Sequence, residues 1–277
     1  MTNNILTRNN VKILGLDKGP VVVLSQGFGC DGGTWEKMLP YFTDNYRVVT
    51  FDHVGTGDSD LTAYDSVKYA KLDGYAGDLL EICQALNLHD VTFVAHSFGA
   101  MMAITAAAAH PEYFGRLVLL ASSPSYLDRP EDNYAGGFVA GDVTELIASL
   151  DTNYLVWAAA AVMGTPETPE NAVELEESFR RFNPVVAREY ARACFLADVR
   201  HLLRDIAAPT LILQCSNDLL VPSHIGAYLQ ENLANSTLVQ LAATGHCPHL
   251  SFPRETSDAI LTYLEAPAAV EPERGTA

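Results

Sequence analysis

The segment Val94-Ala95-His96-Ser97-Phe98-Gly99-Ala100 carries the sharpest chemical signal in the chain. An apolar run leads into a serine and an alanine-rich run leaves it, with a small residue two positions before and two after. A tight strand-to-helix turn needs small residues at those positions, and it holds the hydroxyl at a helix N-terminus whose backbone N–H groups can stabilise an oxyanion. Ala95 stands where glycine is the usual choice. Serine is also a favoured helix N-cap, so Ser97 has two readings. The strand before it and the helix after it favour a nucleophile.

A serine hydroxyl is a poor nucleophile until a histidine takes its proton, and that histidine needs a carboxylate to fix its tautomer and stabilise its charged form. After a nucleophile of this strand-turn-helix kind, the acid and then the histidine follow along the chain. The run Ile212-Leu213-Gln214-Cys215-Ser216-Asn217-Asp218 ends a predicted strand with an acid at its C-terminal edge, where sites in open α/β sheets gather. Asp218 also suits a capped turn before Pro222. The run Thr244-Gly245-His246-Cys247-Pro248-His249 follows the last predicted strand, so His246 is the expected base and His249 its one rival. His96, beside the serine, reads as a packing neighbour.

An oxyanion needs two N–H donors, one from the residue after the nucleophile and one from the loop after an early strand. Phe98 supplies the first. Phe28, in Gln26-Gly27-Phe28-Gly29, is expected to supply the second, with the glycines letting the backbone turn inward. That glycine pair lacks the helix and later acid of a dinucleotide site. His96, His110, His246 and His249 show no metal-ligand spacing such as H-E-x-x-H, so neither a metal nor a cofactor is expected.

The elements that must position these residues read as an α/β chain with a mostly parallel sheet. Short apolar runs bounded by turn residues predict strands over Val11–Leu16, Val21–Ser25, Arg47–Phe51, Val91–Ala95, Leu117–Ala121, Thr210–Cys215 and Thr237–Leu241. Apolar spacing of three and four predicts helices over Trp35–Tyr41, Tyr69–Leu86, Ser97–Ala109, Ser223–Leu233 and Arg254–Glu265. From Pro124 to Asp205 the strand pattern gives way to helical stretches over Thr144–Ser149, Asn153–Met163, Asn171–Phe182 and Val185–Leu196, broken by Gly and Pro. The expected organisation is a first core part over 1–123, a helical cap over 124–205, a second core part over 206–265 and a frayed tail over 266–277.

Composition narrows the partners. Seventeen Lys and Arg against 34 Asp and Glu give a net charge of −17, which repels nucleic acid and anionic membranes at long range. All five lysines lie at or before Lys71, so no compact basic patch is visible. The cysteines (Cys30, Cys83, Cys194, Cys215 and Cys247) are odd in number and scattered, as in a reducing compartment. Met1–Ile5 lacks a basic segment followed by an apolar one, and the cytoplasm is the expected location.

Seven stretches together resemble the RsbQ-type α/β-hydrolases, a group that includes a bacterial regulator of the sigma-B energy-stress response and the karrikin and strigolactone receptors of plants. They are Gln26–Asp31, Asp52–Asp60, Leu72–Asp78, Ala95–Ser97, Ser123–Leu127, Gly136–Phe138 and Gly245–Ser251, and the likeness runs from about Asn4 to Leu264. It implies an α/β-hydrolase fold with an inserted four-helix cap, a triad of Ser97, Asp218 and His246, and a small lipophilic ligand between cap and core. Members of the group hydrolyse butenolides, and similar enzymes open the macrocyclic lactone zearalenone. Among aromatics, the resemblance favours Phe28, Phe98, Tyr126, Phe138, Trp157 and Phe195 as pocket walls, while Phe179 and Phe182 read as core. Such a lining suits an uncharged ester or lactone. A second reading makes the chain a ligand-sensing stress regulator, slow in hydrolysis, that acts with a PAS-domain phosphatase. An apolar cap surface could support a homodimer. A dehalogenase would need an acid at 97, and a perhydrolase of the related group usually has Met where Phe98 stands.

Overall fold

The computed structural model describes residues 4–152 and 169–266. Its strands are β1 (Lys12–Gly15), β2 (Val21–Ser25), β3 (Arg47–Thr50), β4 (Val91–His96), β5 (Phe114–Leu120), β6 (Thr210–Asn217) and β7 (Ser236–Thr244). They form one seven-stranded sheet in the order β1-β3-β2-β4-β5-β6-β7. All neighbours pair in parallel except the edge pair β1 and β3. The longer helices are α1 (Leu72–Ala85), α2 (Phe98–Ala109), α3 (Ala140–Thr152), α4 (Pro169–Arg181), α5 (Pro184–Phe195), α6 (His224–Asn232) and α7 (Pro253–Glu265).

The central strands are apolar at nearly every position because both faces of the sheet are covered. Side chains alternate along a strand. Val23, Phe93, Ala95, Leu117, Leu119 and Ile212 therefore enter the larger core cluster with α1 and α2 residues such as Leu79 and Met101. Val22, Leu24, Val94, Val118, Leu120, Leu211 and Leu213 face the other way, against Trp35, Met38, Phe42 and Ile260. Removing a buried Leu from either cluster costs about 2–5 kcal/mol.

The predicted helix over Trp35–Tyr41 is instead two short turns, Gly32–Trp35 and Leu39–Phe42. Pro40 lies in the first turn of the second. It has no N–H to continue a helix from Trp35 but suits a helix start. Between β5 and β6 the chain makes a helical insert comprising α3, α4 and α5 among the described residues. The two ends of the insert meet in an antiparallel bridge between Ser125 and Asp198. Its helices are tied to the core by Arg181 with Asp31, by Lys37 with Glu174 at 2.7 Å, and by the Tyr64 hydroxyl donating to Glu189 at 2.7 Å. The predicted helix over Asn153–Met163 and the tail beyond Ala266 lie outside the described residues.

Two glycines of α1 make a sharp contrast. A Cβ at Gly74 would sit 2.0 Å from the Lys68 carbonyl oxygen, whereas one at Gly77 would meet nothing within 4 Å. Alanine gains about 1 kcal/mol over glycine inside a helix, but a clash with backbone costs about 1–3 kcal/mol. Gly77→Ala should therefore raise the free energy of unfolding by up to about 1 kcal/mol, and Gly74→Ala should lower it despite the better propensity. Urea titrations of the two variants beside the wild type check the opposite signs.

Candidate active site

Ser97 sits between β4 and α2 with φ 53° and ψ −117°, a conformation that a residue with a Cβ rarely adopts. Such backbone costs about 1–3 kcal/mol and persists only where its surroundings over-determine it. Here they do. A Cβ at Gly99 would lie 2.6 Å from the Gln26 carbonyl oxygen and 2.8 Å from that of Ser25, and one at Gly27 would lie 2.8 Å from Ser97 Cβ. The loop after β2 and the turn after β4 thus nest backbone against backbone. Ala95, in register with Ser25 on one side and Leu119 on the other, fills the strand end where the turn begins. The Ser97 side chain makes no capping bond to α2. Its Oγ instead lies 2.7 Å from His246 Nε2 and 3.2 Å from Tyr126 Oη.

His246 follows β7 and Asp218 follows β6, so both arrive at the same C-terminal edge of the sheet as Ser97. The register of β6 against β7 shifts between Cys215 and Asn217, and such an irregularity re-aims the residues beyond it. Gly245 takes φ 83° and donates its N–H to the Asn217 carbonyl at 2.7 Å, which ties the two loops together. His246 Nδ1 lies 2.8 Å from Asp218 Oδ2, and the Asp218 side chain is wholly shielded from solvent. Asp218 also holds a turn, its Oδ1 accepting the Leu220 N–H at 2.8 Å and the Val221 N–H at 3.2 Å. The two sequence readings of this residue are thus compatible, one for each oxygen. With Nδ1–H donating its hydrogen bond to the carboxylate, the Nε2 lone pair faces the serine hydroxyl, which lets the imidazole accept the hydroxyl proton.

Since the single Ser97 proton points at His246, the Tyr126 hydroxyl is the donor to Ser97 Oγ. Burial holds the Tyr126 phenol well above its usual range, so it keeps the proton it donates. Sequence reading assigns Tyr126 to a pocket wall and misses this bond; its position after β5 is the only hint of it. The Phe98 N–H begins α2, where leading N–H groups have no intrahelical acceptor. The Gln26 carbonyl, at the start of the Phe28 loop, accepts from His53 Nε2 at 3.1 Å.

Aromatic rings surround these groups. Phe28 packs against Phe179, Tyr190 and Phe195 at centroid distances of 5.4, 5.8 and 6.2 Å. Tyr126 packs on Phe195 at 5.2 Å and on Phe138 at 6.5 Å. Phe179 and Phe182 are buried, and a Cβ at Gly29 would lie 2.4 Å from the Phe179 ring. Tyr190, absent from the sequence reading, stacks edge-on to Phe98 at 4.7 Å and Tyr75 at 4.8 Å. The stripe Val186, Tyr190, Cys194, spaced by four along α5 and buried throughout, is the signal that could have found it. Trp157 lies outside the described residues.

No spacing along the sequence groups metal-ligand types, yet the fold brings four such residues together in space. Ligand-type atoms of Cys30, His96, Cys247 and His249 all lie within 4.8 Å of one another, and all four residues are buried. His249, the rival base, stacks on Trp35 and on His96, each at 4.5 Å, while the bond to Ser97 comes from His246.

Burial lowers the His53 pKa from 6.5 to about 4 and holds His249 well below its ordinary value. Between those pH values the unfolded chain binds a proton at His53 that the folded chain refuses. Stability from this source is therefore complete above pH 6.5 and falls toward pH 4 at about 1.4 kcal/mol per unit. Burial raises the Asp52 and Asp78 carboxyls, which acts in the opposite sense at the acid end. His53→Gln keeps a donor for the Gln26 carbonyl but cannot titrate. Between pH 7 and pH 5 the wild type should lose about 2 kcal/mol more unfolding free energy than this variant, as measured by urea denaturation at both pH values; equal losses would contradict the account.

Residues 20–253 match the alpha/beta hydrolase fold family. A karrikin insensitive 2 receptor of Petunia hybrida is 34% identical over 92% of this chain and 93% of its own. A strigolactone esterase of Arabidopsis thaliana is 34% identical over 91% of this chain and 95% of its own. Among solved structures, a hydrolase from Oleispira antarctica superposes with a TM-score of 0.90 at 35% identity, covering 95% of this chain and 97% of that one. The chain belongs to the alpha/beta hydrolase family, and it is a hydrolase of that fold.

Proposed function

We propose that the protein cleaves a carboxylic ester or lactone of a small, lipophilic, uncharged substrate through an acyl-enzyme on Ser97. The observation that carries this reading is the unbroken hydrogen-bond chain from Asp218 through His246 to Ser97, at 2.8 and 2.7 Å, ending on a serine held in strained backbone. His246 takes the hydroxyl proton as Ser97 Oγ attacks the acyl carbon, and Asp218 stabilises the imidazolium that results. The N–H groups of Phe28 and Phe98 receive the oxyanion. His246 then returns the proton to the leaving alcohol, or to the ring-opened hydroxyl of a lactone. Water activated by the same imidazole releases the acid and frees Ser97.

Residues 124–205 act in this reading as a cap, whose aromatic side chains Tyr126, Phe138 and Phe195 meet Phe28 and make an apolar wall. Apolar walls with a few convergent polar groups suit a ligand that is oriented at one acyl group and desolvated elsewhere. Relatives named as a strigolactone esterase and a karrikin receptor favour a lactone. A butenolide and a macrocyclic lactone such as zearalenone are the two substrates to compare.

Ser97→Ala should lower kcat on a 4-nitrophenyl ester by about 10⁴-fold or more while the melting temperature stays the same or rises. Asp218→Asn can keep an oxygen toward the Leu220 and Val221 N–H groups yet presents the wrong partner to Nδ1, and should cost about 10³–10⁴-fold in kcat. Near-full turnover by Ser97→Ala would end the proposal.

A further inference from the structure

Cys30, His96, Cys247 and His249 reach one another from three separate places: the loop after β2, the end of β4 and the segment after β7. They are 2%, 1%, 4% and 0% exposed. Two cysteines and two histidines are the ligand set of a tetrahedral zinc site, in which bond lengths of about 2.3 Å to sulfur and 2.0–2.1 Å to nitrogen put the ligands about 3.3–3.8 Å apart. The donor atoms here lie within 4.8 Å of one another, so contraction by about 1.5 Å at most assembles that geometry.

Ordinary packing accounts for only part of this cluster, in which the Cys247 thiol is hydrogen-bonded with Cys30. Neither ring nitrogen of His249 has a hydrogen-bond partner, nor does His96 Nδ1, although all are buried. Buried polar atoms are nearly always paired, and leaving one unpaired costs about 1–3 kcal/mol. His96 Nε2, in contrast, lies 2.8 Å from the His246 carbonyl oxygen and donates to it. That bond fixes the tautomer and leaves the Nδ1 lone pair available, which is the arrangement by which metal-bound histidines are oriented.

We propose that Cys30, His96, Cys247 and His249 form a buried tetrahedral site for a divalent d¹⁰ cation, with zinc the natural occupant. The charge count selects a divalent ion. Two thiols each lose a proton to solvent, two S–metal and two N–metal bonds form, and two thiolates with two neutral imidazoles cancel a charge of +2. A monovalent ion would leave a net negative charge in a buried place, where an uncompensated charge is costly. The ion would cross-link the Phe28 loop, the Ser97 turn and the His246 loop without touching a substrate. The site stands independently of the hydrolytic reading, and its test does not use activity.

The test is metal content and cobalt spectroscopy on the full chain, refolded after chelator treatment in the presence of Zn²⁺ or Co²⁺ alone. One zinc ion per chain is expected, together with a rise in melting temperature. Co²⁺ should give a thiolate-to-metal charge-transfer band and the intense ligand-field bands of tetrahedral coordination. The double variant Cys30→Ser/Cys247→Ser should bind none, and its melting temperature should not respond to zinc; His249→Gln should weaken binding while keeping the thiolate band. Lack of a bound ion in the wild type, a cobalt spectrum without the thiolate band, full binding by the double variant, or a Cys30–Cys247 disulfide in place of metal would each overturn the proposal. The wild-type cobalt spectrum decides the matter even where a variant fails to fold.

Discussion

Ser97 is held at a positive φ, and much of the structure around it serves to keep it there. The strain is affordable only because two other backbone segments leave the turn no room to relax. Gly27 and Gly99 are the contact points, and each would clash if it carried a Cβ. The same nesting brings the Phe28 loop beside the first turn of α2. One constraint, close approach of two loops at the end of two adjacent parallel strands, therefore sets both the direction of the hydroxyl and the setting of the two N–H donors assigned to the oxyanion.

The opposite side of the site is built by a different device. Asp218 and His246 come from adjacent parallel strands, and Gly245 closes the gap between their loops by bonding to Asn217. Asp218 divides its oxygens between a local turn and the imidazole. A carboxylate that holds its own turn cannot rotate away from the histidine without breaking two backbone bonds, so its orientation is set before any ligand arrives. Pre-set dipoles of this kind favour charge that develops during a reaction, because no reorganisation is needed at that moment.

Sheet, helices and the approach of residues 97, 218 and 246 were legible from the chain because each depends on local pattern: apolar alternation, a small-residue turn, an acid or a histidine just past a strand. Where local pattern misled, a single residue explains it, as Pro40 does for the broken helix after Trp35. The bond from Tyr126 to Ser97 was not legible, since it joins residues 29 apart through a fold that no spacing encodes. Tyr190 lay on an apolar stripe that reads the same whether it faces a core or a site. The Cys30, His96, Cys247 and His249 grouping was hidden for the strongest reason. Its members come from a loop, a strand end and the segment after the last strand, and ligand motifs are recognisable in sequence only when one loop or helix carries them.

How the insert is held bears on what the site admits. The rim contacts of Lys37 with Glu174 and Tyr64 with Glu189 are partly exposed, and exposed pairs contribute about 0–1 kcal/mol each. Beneath them, Phe179, Phe182, Tyr190 and Phe195 all contact the ring of Phe28, and aromatic pairs add about 0.5–1.5 kcal/mol beyond the area they bury. The apolar contacts thus outweigh these two exposed contacts in setting the position of the insert, with the Arg181 pair to the buried Asp31 acting beside them. They converge on the loop whose N–H is assigned to the oxyanion, so packing of the insert and geometry of that loop are one problem. A ligand that replaces ring contacts with its own apolar surface preserves the loop, whereas a charged ligand would have to be desolvated among these rings.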